Sequence, residues 1–323
     1  MRKVTIILAI CAVALSACLT LKDGAALPDV RYLETDSISV EQPLISVASM
    51  FVCSDMLVAY EPSKERMFSF WSLPDIHYLF CAGAKGHAGN EFVRLEKTPG
   101  VTEDGFRVFD TATKRIKRIS VDKTGRFEVA DCGSPIPTDE TVNRFLFLGN
   151  TERYLFVPEG ESDELCVINA EGKRNGTGAY PSSLNPIKDA PLLFTYNKLV
   201  VAKPDGTRFA AFYAYMKVCR IYDNKGRLCM ETKIGNIDPN AAIDGKQVYA
   251  TQPVATDNRI LILTKEEDGQ TVCEEWNWDG ELIARYGLNK PITCMAFHNG
   301  IIFGIQRNTE NKIYTFKLHD YAR

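Results

Sequence analysis

Short apolar runs dominate this chain. Stretches rich in Val, Ile, Phe and Tyr are separated by Gly, Asp, Asn and Pro, and no long stretch spaces its apolar positions as a helix would. Phe106 to Asp110, Arg153 to Val157, Lys198 to Ala202, Arg259 to Thr264 and Gly300 to Gln306 are of this kind. The pattern predicts antiparallel all-β structure. One unit recurs within it: an apolar strand, an acidic or amide residue, a tight turn with Gly, then another strand. It reads Ile119-Ser120-Val121-Asp122-Lys123-Thr124-Gly125, then Val167-Ile168-Asn169-Ala170-Glu171-Gly172. It returns as Ile221-Tyr222-Asp223-Asn224-Lys225-Gly226 and Trp276-Asn277-Trp278-Asp279-Gly280. Gly supplies the positive φ of such turns, and Asp or Asn bonds back to the turn backbone. The same interval places Phe68 to Asp75 before the first of these units and Lys312 to Leu318 after the last, which makes six copies. A period of about 40–50 residues with four strands in each is the signature of a propeller blade. The expected fold is therefore all-β, a six-bladed β-propeller of four-stranded antiparallel blades. The last copy runs to Arg323 before an outer strand can form. The segment around Val30 to Val40 is expected to supply that strand, closing the ring and removing an exposed edge.

The N-terminus departs from this pattern. After Arg2 and Lys3, the run Val4 to Leu15 contains only Thr5 as a polar residue. It is too short to span a bilayer, which takes about 20 apolar residues, and has the length of a signal-peptide core. It ends in Leu15-Ser16-Ala17-Cys18, which resembles the lipobox of bacterial lipoproteins. The resemblance implies that the Cys18 thiol accepts a diacylglycerol before cleavage. The expected organisation is a signal peptide over 1–17, a lipidated tether over 18–29 and the propeller over 30–323. The bilayer is then a partner through acylated Cys18, and the expected location is the cell envelope, with the outer membrane favoured.

Composition narrows the function classes. The formal net charge is −3, and loss of Arg2 and Lys3 with the signal makes it more acidic. Such a chain has no electrostatic footprint for nucleic acid or anionic lipid. Ten Cys are present. Cys81, Cys166 and Cys219 sit inside strand-like runs, where a free Cys behaves as a small hydrophobe. No C-x-x-C occurs, so zinc and thioredoxin-like readings lack their basic element. Cys219 and Cys229 flank one turn and are the pair to examine for a disulfide.

Short motifs add a family resemblance. Gly83-Ala84-Lys85-Gly86-His87-Ala88-Gly89-Asn90-Glu91-Phe92 resembles the glycine-rich segment ending in Glu-Phe of TolB-like six-bladed propeller lipoproteins. Lys203-Pro204-Asp205-Gly206-Thr207-Arg208-Phe209-Ala210 is similar to that family's Pro-Asp-Gly strand entry, and Trp276 to Gly280 to its last Asp-Gly turn. The resemblance implies fold and location much more than activity.

No catalytic constellation is visible. The four His stand at 77, 87, 298 and 319, and neither H-E-x-x-H nor G-x-S-x-G occurs. Asp238-Pro239-Asn240 with Asp244-Gly245 only loosely suggests a calcium loop and lacks the bidentate Glu. No metal and no cofactor are expected. The Gly83–Gly89 loop lacks the G-K-[ST] ending of a phosphate loop, so its glycines read as a sharp connection between blades. Its functional reading places Lys85, His87, Asn90 or Glu91 against a ligand at one mouth of the propeller. Tyr213 and Tyr215 read as packing residues or as a binding platform. The expected function is non-enzymatic binding of a polypeptide or glycan by a monomer. The alternative is a hydrolase or lyase that uses carboxylates at the central channel.

Overall fold

The computed structural model describes residues 20–23, 27–136, 142–158, 163–181, 192–235, 241–266, 268–307, 309 and 311–318. Three short strands come first: β1 (Thr20–Asp23), β2 (Val30–Tyr32) and β3 (Thr35–Ser39). Blade 1 holds β4 (Ser49–Cys53), β5 (Met56–Tyr60), β6 (Arg66–Ser72) and β7 (Tyr78–Ala84). Blade 2 holds β8 (Gly100–Thr102), β9 (Gly105–Asp110), β10 (Arg115–Val121) and β11 (Phe127–Asp131). Blade 3 holds β12 (Val142–Phe147), β13 (Tyr154–Pro158), β14 (Leu165–Ile168) and β15 (Arg174–Thr177). A single helical turn, α1 (Leu192–Thr195), leads into blade 4. That blade holds β16 (Lys198–Ala202), β17 (Arg208–Tyr213), β18 (Val218–Asp223) and β19 (Leu228–Lys233). Blade 5 holds β20 (Val254–Ala255), β21 (Arg259–Lys265), β22 (Thr271–Asn277) and β23 (Leu282–Leu288). Blade 6 has β24 (Ile292–His298), β25 (Ile301–Gln306) and β26 (Lys312–Lys317).

The outer strand of blade 6 is β3, paired antiparallel to β26 with Tyr314 opposite Ser37. The expected closing segment is thus divided. Thr35–Ser39 closes blade 6, while Val30–Tyr32 adds a parallel strand to the outside of blade 5, with Val30 opposite Arg285. Thr20–Asp23 adds another parallel strand to blade 4, with Thr20 opposite Met230. Part of the stretch expected as tether is therefore paired to the ring, and the N-terminal segment contributes to three successive blades.

Each sheet lies between two neighbours, so its middle strands are covered on both faces. That is why they read as continuous apolar runs rather than alternating ones. Met56–Tyr60 and Leu165–Ile168 are buried at every position, while the outer strand Phe127–Asp131 has no buried residue. The core consists of seams. Phe68, Phe92 and Phe106 join blades 1 and 2, and Phe109, Phe145 and Phe156 join blades 2 and 3. Leu155, Val200 and Phe209 join blades 3 and 4, and Phe212, Ile260 and Trp276 join blades 4 and 5. Leu263, Leu288 and Phe316 join blades 5 and 6. Trp71 of blade 1 packs with Phe303 and Ile313 of blade 6, which closes the circle. Each large side chain so buried contributes about 1.5–3 kcal/mol.

The repeat seen in the sequence is the third strand of every blade, followed in blades 1 to 5 by the turn into the fourth. Gly125, Gly172, Gly226 and Gly280 have φ of +94°, +76°, +82° and +75°. The Asp or Asn three residues earlier caps the turn. Asn277 Oδ1 accepts from the amides of Asp279 at 3.0 Å and Glu281 at 2.8 Å, and Asp223 Oδ1 from Lys225 and Arg227, both at 2.9 Å. Another close approach joins blades 3 and 4 at this same end of their strands. A Cβ on Gly149 would stand 2.6 Å from the Gly206 nitrogen, so the Pro204-Asp205-Gly206 turn fits against its neighbour only because both residues are glycine. All eight cysteines from Cys53 to Cys294 are free. Cys219 faces Thr232 across the strands rather than Cys229.

Candidate functional site

The six first strands, β4, β8, β12, β16, β20 and β24, surround a central channel. They enclose a cavity of about 1090 Å³. Five cationic side chains are among its lining residues: Lys97, Arg144, Lys203, Lys265 and Arg307. No Asp, Glu or His is among the described residues that line it. Strand direction sorts the five cations between the two mouths. The first strands all begin at one mouth, and the second strands end there. Lys97 precedes β8, Arg144 lies early in β12, Lys265 ends β21 and Arg307 follows β25. Lys203 follows β16 and so belongs to the other mouth, where Asp205 pairs with it at 2.8 Å.

Arg144 is the most constrained of these groups. Its φ is +57°, a conformation that only a few per cent of non-glycine residues adopt. It sits where the pairing of β12 with β13 slips between Asn143 and Leu146. Bulges of this kind re-aim a side chain. Nε of Arg144 donates to the Lys198 carbonyl at 3.3 Å, which holds the guanidinium against the next blade.

The carboxylates of the same face are occupied within the blades. Glu164, fully buried, accepts from Lys198 Nζ at 2.5 Å, Arg220 Nη1 at 2.8 Å and Tyr222 OH at 3.0 Å, and also from Tyr213 OH. Arg220 Nε in turn donates to Glu231 at 2.6 Å. Burial by itself raises the Glu164 carboxyl, but Lys198 and Arg220 outweigh it and hold it below the usual carboxylate range. In blade 5, Glu266 meets Arg285 at 2.6 Å and Lys217 at 3.3 Å, and Glu274 accepts from Tyr249 OH at 2.8 Å. Burial raises the Glu266 carboxyl too, but Arg285 and Lys217 bring it below its ordinary value. Asp110 accepts from the amides of Val93 at 2.8 Å and Ala112 at 3.1 Å. These acids hold the ring together and leave the channel to the cations.

The residues singled out from sequence lie elsewhere on this face. Lys85 Nζ reaches the Pro62 carbonyl at 3.4 Å, and Glu91 Oε2 accepts from the Ala88 amide at 2.9 Å. Buried Lys117 donates to the Glu91 carbonyl, and Phe92 packs on Phe68 with ring centroids 5.7 Å apart. His87 and Asn90 are exposed. None of Lys85, His87, Asn90 and Glu91 is among the channel-lining residues, and the loop connects blade 1 to blade 2. Tyr213 is buried in the Glu164 network rather than forming a platform. His298 ends β24 beside the turn residue Asn299, whose φ is +47°. Cys18, His319 and Asp238-Pro239-Asn240 lie outside the described residues. Among the described residues no group of His, Cys, Asp and Glu is arranged to hold a metal.

A signal for the channel cations was present in the repeat. The position 28 residues before the repeat glycine reads Lys97, Arg144, Lys198 and Gln252 in successive blades. Lys97, Arg144 and Gln252 line the channel, while Lys198 turns into the blade 3–4 seam.

Comparison with solved structures supports the architecture. A member of the DUF4221 family from Bacteroides vulgatus superposes with a TM-score of 0.60 at 10% identity, covering 90% of this chain and 97% of that one. An exported protein from Bacteroides fragilis gives 0.55 at 9% identity, covering 92% and 99%. Virginiamycin B lyase from Staphylococcus aureus gives 0.51 at 12% identity, covering 88% and 99%. Identities this low show the shared propeller fold alone. No family model matches the sequence, and no curated protein matches it significantly.

Proposed function

We propose that this chain is a TolB-like envelope lipoprotein that binds a segment of a polypeptide or glycan at the cationic mouth of its channel, without turning it over. The lining of that channel carries the reading. All six blades contribute to it, and its polar groups are ammonium, guanidinium, amide and hydroxyl groups. Hydrolysis through paired carboxylates needs an acid and a base within reach of one bond. Glu164, Glu266, Glu274 and Asp110, on this face, are engaged within the blades instead.

A channel-narrowing variant tests the site. Thr293 lies in β24, is exposed and lines the cavity. Thr293→Trp is expected to fold normally and to abolish binding of whichever oligosaccharide or peptide a screen identifies. The wild-type protein is expected to return that ligand chemically unchanged. Binding that survives the substitution argues against the channel, and product formation by the wild type argues for an enzyme.

The anchor reading rests on Leu15-Ser16-Ala17-Cys18 behind an apolar run. The exported protein that shares the fold is in keeping with it. Among the described residues no helix is long and apolar enough to cross a membrane. Because Thr20 pairs with Met230, an acyl group on Cys18 would hold the outer edge of blade 4 beside the bilayer. In cells, Cys18→Ala is expected to lose acyl labelling and to release the protein from membranes. Continued labelling of that variant would refute the anchor.

A further inference from the structure

We propose that the occupant of this mouth is an acidic oligosaccharide whose sugar carboxylates meet Lys97, Arg144, Lys265 and Arg307. This rests on the channel reading above and names the ligand class. The four cations converge on one mouth from blades 2, 3, 5 and 6. None of them has a carboxylate partner among the described residues. Four cations in the seams beside blade 4 do: Lys198 and Arg220 share Glu164, and Lys217 and Arg285 share Glu266. The seams on either side of blade 4 therefore pair their buried cations with carboxylates, while those of the mouth are left open among the described residues. A concave site of one charge sign focuses its field and draws in the opposite charge.

Arg144 supports this independently. An arginine in the left-handed region costs on the order of 1–3 kcal/mol, and such strain clusters at ligand sites. Here the bulge turns the guanidinium towards the channel, and Nε is tied to the Lys198 carbonyl at 3.3 Å. The two terminal nitrogens remain for a carboxylate, which a guanidinium binds as a fork.

The uncharged lining favours a sugar over an acidic peptide. Gln247, Gln306, Thr98 and Thr309 line the channel between the cations. Amide and hydroxyl side chains both donate and accept, as sugar hydroxyls do. A uronate chain carries one carboxylate and several hydroxyls on every ring, so a short one presents both sets of groups together. A peptide presents one donor and one acceptor per backbone unit and has less to offer the amides.

Titration calorimetry with tetragalacturonate tests the proposal, with its methyl ester and a tetraglutamate peptide as comparisons. Tetragalacturonate is expected to bind, and to bind more weakly as salt rises. Arg144→Gln is expected to weaken it by about 10-fold or more, the size of a lost charged hydrogen bond. Lys265→Gln and Arg307→Gln alter exposed side chains and keep the test valid if the strained Arg144 site does not tolerate substitution. Equal binding of the methyl ester would overturn the acidic ligand while leaving the channel reading intact. Tighter binding of tetraglutamate would assign the mouth to an acidic peptide. Absence of tetragalacturonate binding would overturn the proposal outright. Tetragalacturonate binding that persists in Thr293→Trp would overturn the channel reading as well.

Discussion

Replacing Glu164 by Ala is expected to cost about 3–5 kcal/mol of stability, the usual penalty for removing one partner of a buried ion pair. Glu164 and Lys198 are both fully buried, and their charged atoms lie 2.5 Å apart across the blade 3–4 seam. Arg220 has a second carboxylate in Glu231, but among the described residues Lys198 does not. Without Glu164, the Lys198 ammonium keeps the faces of Tyr180 and Tyr213, at 4.9 and 5.1 Å, and no carboxylate among the described residues. The damage should therefore depend on Lys198. In the double variant Glu164→Gln, Lys198→Met, no unpaired ammonium remains, and a large part of the loss should be recovered. Urea unfolding of the single and double variants measures this. A loss below about 1 kcal/mol in Glu164→Ala would show that the pair is no more than a surface-like contact. The same network sets an acid limit. The folded Glu164 carboxyl lies below its unfolded value, which is about 4.3. Its contribution is present in full above the unfolded value and is lost as pH falls through the folded one. Wild-type stability should therefore fall on acidification below about pH 4, and Glu164→Gln should flatten that fall.

Removal of residues 19–41 is expected to have the second large effect. It deletes β3 and leaves the backbone groups of β26 unpaired along an exposed edge. It also removes Leu33 and Val40, which are 6% and 7% exposed and belong to the seams on either side of blade 6. Two such side chains contribute about 3–6 kcal/mol together. In a chain of this size, that lowers the melting temperature by on the order of 10 °C. The truncated protein should also self-associate through the open edge. A synthetic peptide covering residues 28–41 should restore the melting temperature by re-adding the strand. An unchanged melting temperature after deletion would contradict closure by this segment.

The two effects differ in how visible they were beforehand. Closure by the N-terminal segment was expected from the repeat, and Thr35–Ser39 does pair beside Lys312–Lys317 as the outer strand of blade 6. The parallel additions of β1 and β2 were not, because a strand that joins an edge through backbone bonds leaves little pattern in its own side chains. The Glu164 network was hidden as well. Its members stand at 164, 198, 213, 220, 222 and 231, and only the packing of two blades brings them together.

The sequence by itself determined what depends on neighbouring residues. The Asp or Asn followed three residues later by Gly specifies the turn in blades 2 to 5, because a capping oxygen and a positive φ are local requirements. The apolar runs specify strands that are covered on both faces, and their period specifies six blades. Tertiary structure alone decided which cations serve the channel. Lys97, Arg144 and Lys198 hold the same place in three successive repeats, yet Lys198 is drawn into the seam by Glu164. Arg144 is turned to the mouth by a bulge that its own strand shares with the next one. Whether a side chain faces solvent or a buried carboxylate depends on what the adjacent blade supplies, and in a propeller that partner lies tens of residues away along the chain.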